Sequence, residues 1–342
     1  MASLVVQTSF LGDVVLTTPL ISALAQRGEV DVVTTLPGAQ ILANNPAIRS
    51  IIVYEKRDND RGIPGFSRVV RRLRRPPDDR YDVAYLAQGS VRSAVLALTA
   101  GVRHRVGFDT SAGRVLYTER VRYRPDKHHA ERLWSLAFSD CADAPTAQQI
   151  RPRVYPGEEE RRAVDEMLAS GGIEPGYVVL APGSAWGTKR WPFYPELATQ
   201  LGEQFRIVVV GGNGDVEAGD QIVAQLPVGR GLNTAGRSTL LASAEIIGRA
   251  AALVGNDSAP QHFASAMGTP TLTIYGPTTP AFGFGPLAPA SETAGVTNLA
   301  CRPCHRHGPA RCPLGHWRCM RELSSRQVYE ILMRTLSHSE HA

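Results

Sequence analysis

The chain has 342 residues, 43% hydrophobic and 20% charged. This is an ordinary globular composition in a chain longer than one core usually serves, so two domains are expected. No apolar run reaches membrane-spanning length and the N-terminus enters a strand without a basic leader, which makes the cytoplasm the expected compartment.

The formal charge of +5 is uneven: 17 Lys or Arg stand against 8 Asp or Glu between Arg49 and Arg124. A basic first half suits an anionic partner, although a solvated Arg-rich surface explains the same count. Lysine is rare, with Lys56, Lys127 and Lys189 the three in the chain.

Residues 4–6 read as a strand, followed by a polar loop closed by Gly12-Asp13 and a helix over 13–25 with Leu16, Leu20, Ala23 and Leu24 on its apolar face. Pro19 falls inside that helix and is expected to bend it. Asp13 is suited to cap the helix, since its carboxylate can accept first-turn amide hydrogens. It also stands at the carboxyl end of the first strand, where open α/β sheets put their ligands. A strand over 30–34, a turn at Pro37-Gly38, a short helix from Ile41 ended by Asn45-Pro46 and a strand over 51–54 follow. The basic segment 55–80 holds a candidate helix over 66–75, and then come a strand (83–86), a helix (90–100) and an extended piece (105–107). Strand and helix in alternation predict a parallel sheet with helices on both faces.

The Pro-bearing stretch 151–157 is the expected joint. It separates a domain over 1–155 from one over 156–322, with a last helix in 323–342 set apart as able to pack back on the first domain. The second series alternates likewise: helix 158–170, strand 177–181, helix 194–204, strand 206–210, helices 216–225 and 238–249, strand 251–254, helix 257–267, strand 271–275 and helix 324–335. The fold class implied is α/β, two Rossmann-like doubly wound halves facing a cleft.

Three strand ends of the second half carry chemistry. The first runs from Pro182 to Pro192, where Ser184, Thr188 and Lys189 join small residues that expose backbone amides, a phosphate-suited set without P-loop spacing. A Lys in an Arg-biased chain points to a compact point charge. The second is Gly211-Gly212-Asn213-Gly214-Asp215, where glycines after a strand admit a ligand close to the backbone, as they also do in a plain tight turn. The third, Gly255-Asn256-Asp257-Ser258-Ala259-Pro260-Gln261-His262, follows a strand and opens a helix whose amides and dipole suit a diphosphate. A well-capped helix without a ligand is its plain reading. Together the loops favour a nucleotide or sugar-nucleotide in the second domain. No Gly-x-Gly-x-x-Gly follows the first strand, which counts against a standard dinucleotide enzyme.

The run Thr8-Ser9-Phe10-Leu11-Gly12-Asp13-Val14-Val15-Leu16-Thr17-Thr18-Pro19 resembles the N-terminal signature of the lipopolysaccharide heptosyltransferases, glycosyltransferase family 9. So do Pro182-Gly183-Ser184 with Lys189-Arg190-Trp191-Pro192, Asn233-Thr234-Ala235-Gly236, Asn256-Asp257-Ser258 with His262, and Tyr275-Gly276-Pro277-Thr278, in the family's order along nearly the whole chain. The heptosyltransferase II type is the one it most resembles. The resemblance implies a GT-B fold, an acceptor site in the first domain and a donor site in the second. It implies an ADP-L-glycero-D-manno-heptose donor, a Kdo-lipid A or heptosyl-Kdo-lipid A acceptor, inversion at the anomeric carbon, and no metal.

By position, the resemblance makes Asp13 the general base. It sets Lys189 against charge building on the ADP leaving group. Ser184, Ala185, Thr188, Gly212, Asp215, Asp257, Ser258, Ala259 and His262 are then the donor-binding candidates, and Ser9, Gly12, Arg57, Arg61, Arg71, Arg72 and Arg74 the acceptor-binding ones. Ala259 stands where the family usually has Gly, and Ala185 where some members have a hydroxyl. The adenosine-side carboxylate falls to Asp215 or Glu217. The basic half would meet the anionic acceptor or the cytoplasmic face of the inner membrane.

Cysteines are five: Cys141 alone, and Cys301, Cys304, Cys312 and Cys319 in one cluster with His305, His307 and His316 among them. In a reducing compartment the cluster reads as a structural zinc site, as free thiols or as disulfides. Two alternatives to the heptosyltransferase reading stand: a family 9 transferase with another nucleotide-sugar, and a basic nucleic-acid-binding protein. Against the last, no aromatic-interleaved basic motif or recognition-helix signature is present, so no nucleic-acid partner is expected.

Overall fold

The computed structural model describes every residue except Arg57, Arg75, 77–79, 139–143 and 340–342. The basic candidate Arg57 and the lone Cys141 therefore lie outside the described residues. The chain divides into two compact units, Met1–Tyr155 and Pro156–Ala342.

The first unit runs β1 (Ala2–Val6), α1 (Leu11–Ala25), β2 (Glu29–Thr34), α2 (Leu36–Leu42), β3 (Ser50–Val53), α3 (Gly62–Leu73), β4 (Val83–Tyr85), α4 (Val91–Thr99), β5 (His104–Phe108), β6 (Glu119–Val121), α5 (His129–Ser135) and α6 (Ala147–Ile150). The second runs α7 (Glu158–Ser170), β7 (Val178–Ala181), α8 (Tyr194–Leu201), β8 (Ile207–Val209), α9 (Val216–Val223), β9 (Gly231–Asn233), α10 (Leu240–Gly248), β10 (Ala252–Asn256), α11 (Ala259–Met267), β11 (Thr271–Ile274), β12 (Ser291–Ala294), α12 (Arg318–Arg321) and α13 (Ser325–Ser339).

Each unit holds one six-stranded parallel sheet, ordered β3-β2-β1-β4-β5-β6 in the first and β12-β11-β10-β7-β8-β9 in the second. These are the same topology. In each, the first strand of the unit lies between its second and fourth, and the order reverses there. The loops leaving that pair of strands part in opposite directions and open a crevice at the sheet's carboxyl edge, the usual ligand position of such sheets. In the first unit the pair is β1 and β4; in the second it is β7 and β10.

Apolar strands buried on both faces explain the cores. Leu4, Val6, Val33, Ala84 and Leu86 pack with Val69, Leu73 and Leu96 in the first unit. Val178, Leu180, Val209, Val254, Leu272 and Ile274 pack with Tyr194, Leu197 and Leu201 in the second. Val328 and Leu332 of α13 belong to that second core, and α13 packs on α8, β11 and β12. The last helix is thus part of the second unit.

Helix α1 begins two residues earlier than expected, at Leu11, with Phe10 at the cap position and no side-chain cap. Asp13 is therefore inside the first turn and does not cap. Pro19 sits within α1. It has no amide hydrogen for the Val15 carbonyl, and the Thr18 hydroxyl supplies one instead at 2.8 Å. Pro37-Gly38 is not a turn but the start of α2, capped by Thr35, because Pro is well suited to a first helical turn. Among the described residues no helix is long and apolar enough to cross a membrane.

Candidate active site

In the first unit Asp13 lies one turn into α1, just past the end of β1, with its side chain 20% exposed. A carboxylate in the first turn is favoured by the helix dipole. Ser9 Oγ lies 2.8 Å from Asp13 Oδ2. His129 Nε2, at the start of α5, lies 3.6 Å from Oδ1. Helix α5 packs against α1. Behind them, Gln7 and Thr17 are buried, with Gln7 Nε2 donating to Thr17 Oγ1 at 3.1 Å and Thr17 donating to the Asp13 carbonyl at 2.7 Å.

Beside the β1–β4 crevice, Thr8, Tyr54, Lys56, Arg61, Gly62, Ser90, Arg92 and Ser93 line a cavity of about 650 Å³. Three cations and four hydroxyls make it a site for an anionic, polyhydroxylated ligand. Lys56 Nζ donates to the Thr8 carbonyl at 3.1 Å, which ties the β3 loop to the Asp13 loop. Burial raises the pKa of the Tyr54 hydroxyl, while Arg92, hydrogen-bonded to it, pulls it down.

Of the basic candidates among the described residues, Arg61 lines this cavity. Arg72 donates to the Val53 carbonyl at 3.4 Å, and Arg74 donates twice to the Thr99 carbonyl at 3.1 Å. Arg71 is exposed on α3, and Gly12 lies within α1. Sequence reasoning did not single out Lys56, Arg92, Ser90, Ser93, Tyr54, Gln7 or His129. Lysine scarcity was a signal for Lys56; nothing local marks the others.

In the second unit the loops after β7 and β10 are sewn together. Asn256 accepts from the Trp191 amide at 3.2 Å and donates to the Pro182 carbonyl at 2.7 Å, and Ser258 Oγ donates to the Gly183 carbonyl at 3.2 Å. Lys189 Nζ lies 2.6 Å from Asp257 Oδ2, each side chain 11% exposed. Asp257 also accepts from Thr278 Oγ1 at 2.7 Å and from Gln261 Nε2 at 3.0 Å. Ser258 occupies the cap position of α11 without a side-chain cap bond, and Ala259 and Pro260 open the helix. His262 is buried one turn in.

The Thr188 hydroxyl donates to the Pro309 carbonyl, and Ser184 Oγ accepts from the Trp186 amide at 3.3 Å, while Ala185 is exposed. Asp215 accepts from the Gly212 amide at 3.0 Å and lies against Gly183, where a Cβ would meet its Oδ2 at 2.3 Å. Gly183 is therefore needed for close approach of these two loops. Glu217 is the exposed carboxylate of the pair, in the first turn of α9.

Cys301, Cys304, Cys312 and Cys319 are free thiols. Burial, with the neighbouring cysteines, pushes Cys319 up to about 11. Among the described residues no group of three or more His, Cys, Asp or Glu is placed to hold a metal ion. Cys304 is exposed and Cys319 buried, and Cys301 Sγ lies 3.8 Å from His316 Nε2. The cysteine loop also meets the loop after β7, since the Pro309 carbonyl accepts from both the amide and the hydroxyl of Thr188.

Two Rossmann-like sheets, an acid beside a basic cavity and a phosphate-suited helix start are shared by many transferases. The sequence comparison decides among them. The family model described as Glycosyltransferase family 9 (heptosyltransferase) matches residues 67–316. The chain belongs to glycosyltransferase family 9.

Lipopolysaccharide heptosyltransferase 2 of Escherichia coli K12 is 30% identical over 320 residues, covering 87% of this chain and 88% of that protein. The solved structure of E. coli ADP-heptose lps heptosyltransferase II superposes with a TM-score of 0.78 at 26% identity, covering 99% of this transferase and 100% of that chain. A family 9 glycosyl transferase from Veillonella parvula superposes with a TM-score of 0.85 at 23% identity, covering 98% and 97%. The family 9 transferase has the α/β GT-B fold class of these proteins, one Rossmann-like sheet per unit.

Proposed function

We propose that this family 9 transferase moves a heptose from ADP-L-glycero-D-manno-heptose to the lipopolysaccharide inner core, with inversion and without a metal. Similarity to proteins named for that reaction supports the donor and acceptor classes. The observation that carries the chemistry is Asp13, a partly exposed carboxylate at the end of β1 in the unit that holds the cavity lined by Lys56, Arg61 and Arg92. The cavity cations would bind the carboxylates and phosphates of the inner core.

In the proposed step an acceptor hydroxyl attacks the anomeric carbon and loses its proton to Asp13. The bond from that carbon to the diphosphate oxygen breaks, and its electron pair leaves with ADP. The α11 amides and Lys189 offset the charge that builds on the diphosphate. In this reading Ser184, Gly212, Asp257, Ser258, Ala259 and His262 surround the donor. Exposed Phe10, Ile63, Val91 and Val115 all follow strand ends on the carboxyl edge of the first sheet. With the basic cavity residues they suit a peripheral contact with an anionic lipid surface on the cytoplasmic side.

The test is transfer from ADP-heptose to Kdo-lipid A and to heptosyl-Kdo-lipid A, by wild type and Asp13→Ala, with and without EDTA. Transfer to one acceptor, lost in the variant and insensitive to EDTA, is expected. Full activity in Asp13→Ala removes the base, and transfer only from another nucleotide-sugar removes the donor.

A further inference from the structure

Ser9 Oγ has one hydrogen and two oxygen neighbours, Gln7 Oε1 at 2.6 Å and Asp13 Oδ2 at 2.8 Å. The orientation of the Gln7 amide follows from what stands behind it. Thr17 Oγ1 lies 2.7 Å from the Asp13 carbonyl, which only accepts, so the Thr17 hydrogen goes there. Thr17 must then accept from Gln7, whose NH2 group faces it at 3.1 Å. The Gln7 oxygen is left facing Ser9, where it also lies 3.4 Å from the Ser9 amide. Gln7 and Thr17 are each 1% exposed, so no water relieves this order.

The hydrogen count now depends on Asp13. When Asp13 is ionised, two short contacts to Ser9 Oγ share a single hydrogen, and one of them is a bare approach of lone pairs. When Oδ2 carries a proton, the count closes: Asp13 donates to Ser9, and Ser9 donates to Gln7. We infer that Gln7 and Ser9 are positioning residues that favour the protonated form of Asp13 and so make it a stronger base towards the acceptor hydroxyl. The inference rests on the proposed role of Asp13 as base. It removes a difficulty of that role, because a carboxylate that only receives hydrogen bonds is a weaker base.

Among the described residues, the charged groups on the elements packed against α1 are placed as follows. His129 of α5 faces Oδ1 at 3.6 Å and, when protonated, favours the ionised form. On α5, Glu131 pairs with Lys127 at 3.0 Å, Arg132 donates to the carbonyls of Arg124 and Pro125, and His128 accepts from the Ala130 amide at 3.2 Å. Helices α2 and α6, which also pack on α1, carry no charged residue. On β2, Glu29 and Asp31 pair with Arg49. These groups are the same in every variant below, so their effect cancels in a comparison.

The experiment is the pH profile of kcat for wild type, Gln7→Met, Ser9→Ala, Ser9→Thr and Asp13→Asn, with thermal unfolding as the check on folding. A base is active when ionised, so activity rises with pH through its titration. Gln7→Met frees the Ser9 hydrogen for the carboxylate, and the acid limb moves to lower pH with a loss of about tenfold in plateau kcat. Ser9→Ala, less buried and the safer variant for folding, removes the acceptor of the Asp13 proton and shifts the limb the same way. Ser9→Thr keeps the hydroxyl and the wild-type limb. KM for the donor stays unchanged throughout. A limb that stays in place, or moves up, in Gln7→Met and Ser9→Ala while Asp13→Asn is inactive overturns the inference alone. Wild-type activity in Asp13→Asn overturns the base itself.

Discussion

Lys189 and Asp257 form a nearly buried ion pair, and Asp257 carries hydrogen bonds from Thr278 and Gln261 as well. Such a pair is costly to break from one side, because the remaining charge stays buried; about 3–5 kcal/mol is typical. Lys189→Ala is expected to destabilise the second unit by that order in chemical denaturation and to lower kcat at least about 100-fold. Lys189→Arg does not restore either quantity, since a planar guanidinium replaces a compact ammonium enclosed beside Gly308, where a Cβ would already meet the Lys189 chain at 3.2 Å. The residue scale is also where the sequence reading was narrowest. Asp13 and Lys189 were legible because each belongs to a contiguous run. Gln7, His129 and Arg92 were not, because what distinguishes them is a neighbour from a distant element.

At the scale of elements, α1 shows how a helix tolerates an internal proline. The Thr18 hydroxyl donates to the orphaned Val15 carbonyl and accepts from the Arg153 amide at 2.9 Å. Thr18→Val removes both, and a loss of about 1–3 kcal/mol in unfolding free energy is expected. The cysteine loop offers a second test. Burial opposes ionisation of Cys312, but the backbone amides of Trp317, Leu314, Gly315 and His316 outweigh it and hold its thiol below the ordinary value. Burial raises Cys319 to about 11. The thiolate is the reactive form, so as pH rises Cys312 ionises before Cys319. Mass spectrometry after brief alkylation near pH 8 is expected to find Cys312 modified and Cys319 protected. The strands that sequence reasoning missed, β6, β9 and β12, all lie at sheet edges. Each is three or four residues long and only partly buried, so it lacks the continuous apolar run that marks a central strand.

At the scale of the molecule, two copies of one topology carry different chemistry at the same place. The first crevice is basic and hydroxyl-rich; the second presents helix amides and one paired lysine. ADP is therefore expected to slow hydrogen exchange in the second unit, at 182–191 and 256–262, without protecting the loops after β1 and β4. Replacing Lys56, Arg61 and Arg92 together by Ala is expected to raise acceptor KM at least about tenfold and to leave donor KM unchanged, because three charge-assisted contacts are lost from one site only. The same variant, with Ile63→Ser added, is expected to lose sedimentation with vesicles containing anionic lipid. Charge reversal at Arg72 and Arg74 is a poorer probe, since both brace backbone carbonyls.

The sequence by itself determined the α/β class, the division into two alternating halves and the family, because apolar strands, glycine-rich strand ends and contiguous motifs are local signals. It also picked out Asp13, Lys189 and the start of α11. The tertiary structure decided what those residues touch. It moved Asp13 from a cap into the helix and enclosed it with Ser9, Gln7 and His129. It put Lys56, Arg61 and Arg92 together at one cavity. The reason is physical: hydrogen-bond partners and charge neighbours are fixed by packing between elements far apart in the chain, and no local pattern encodes them.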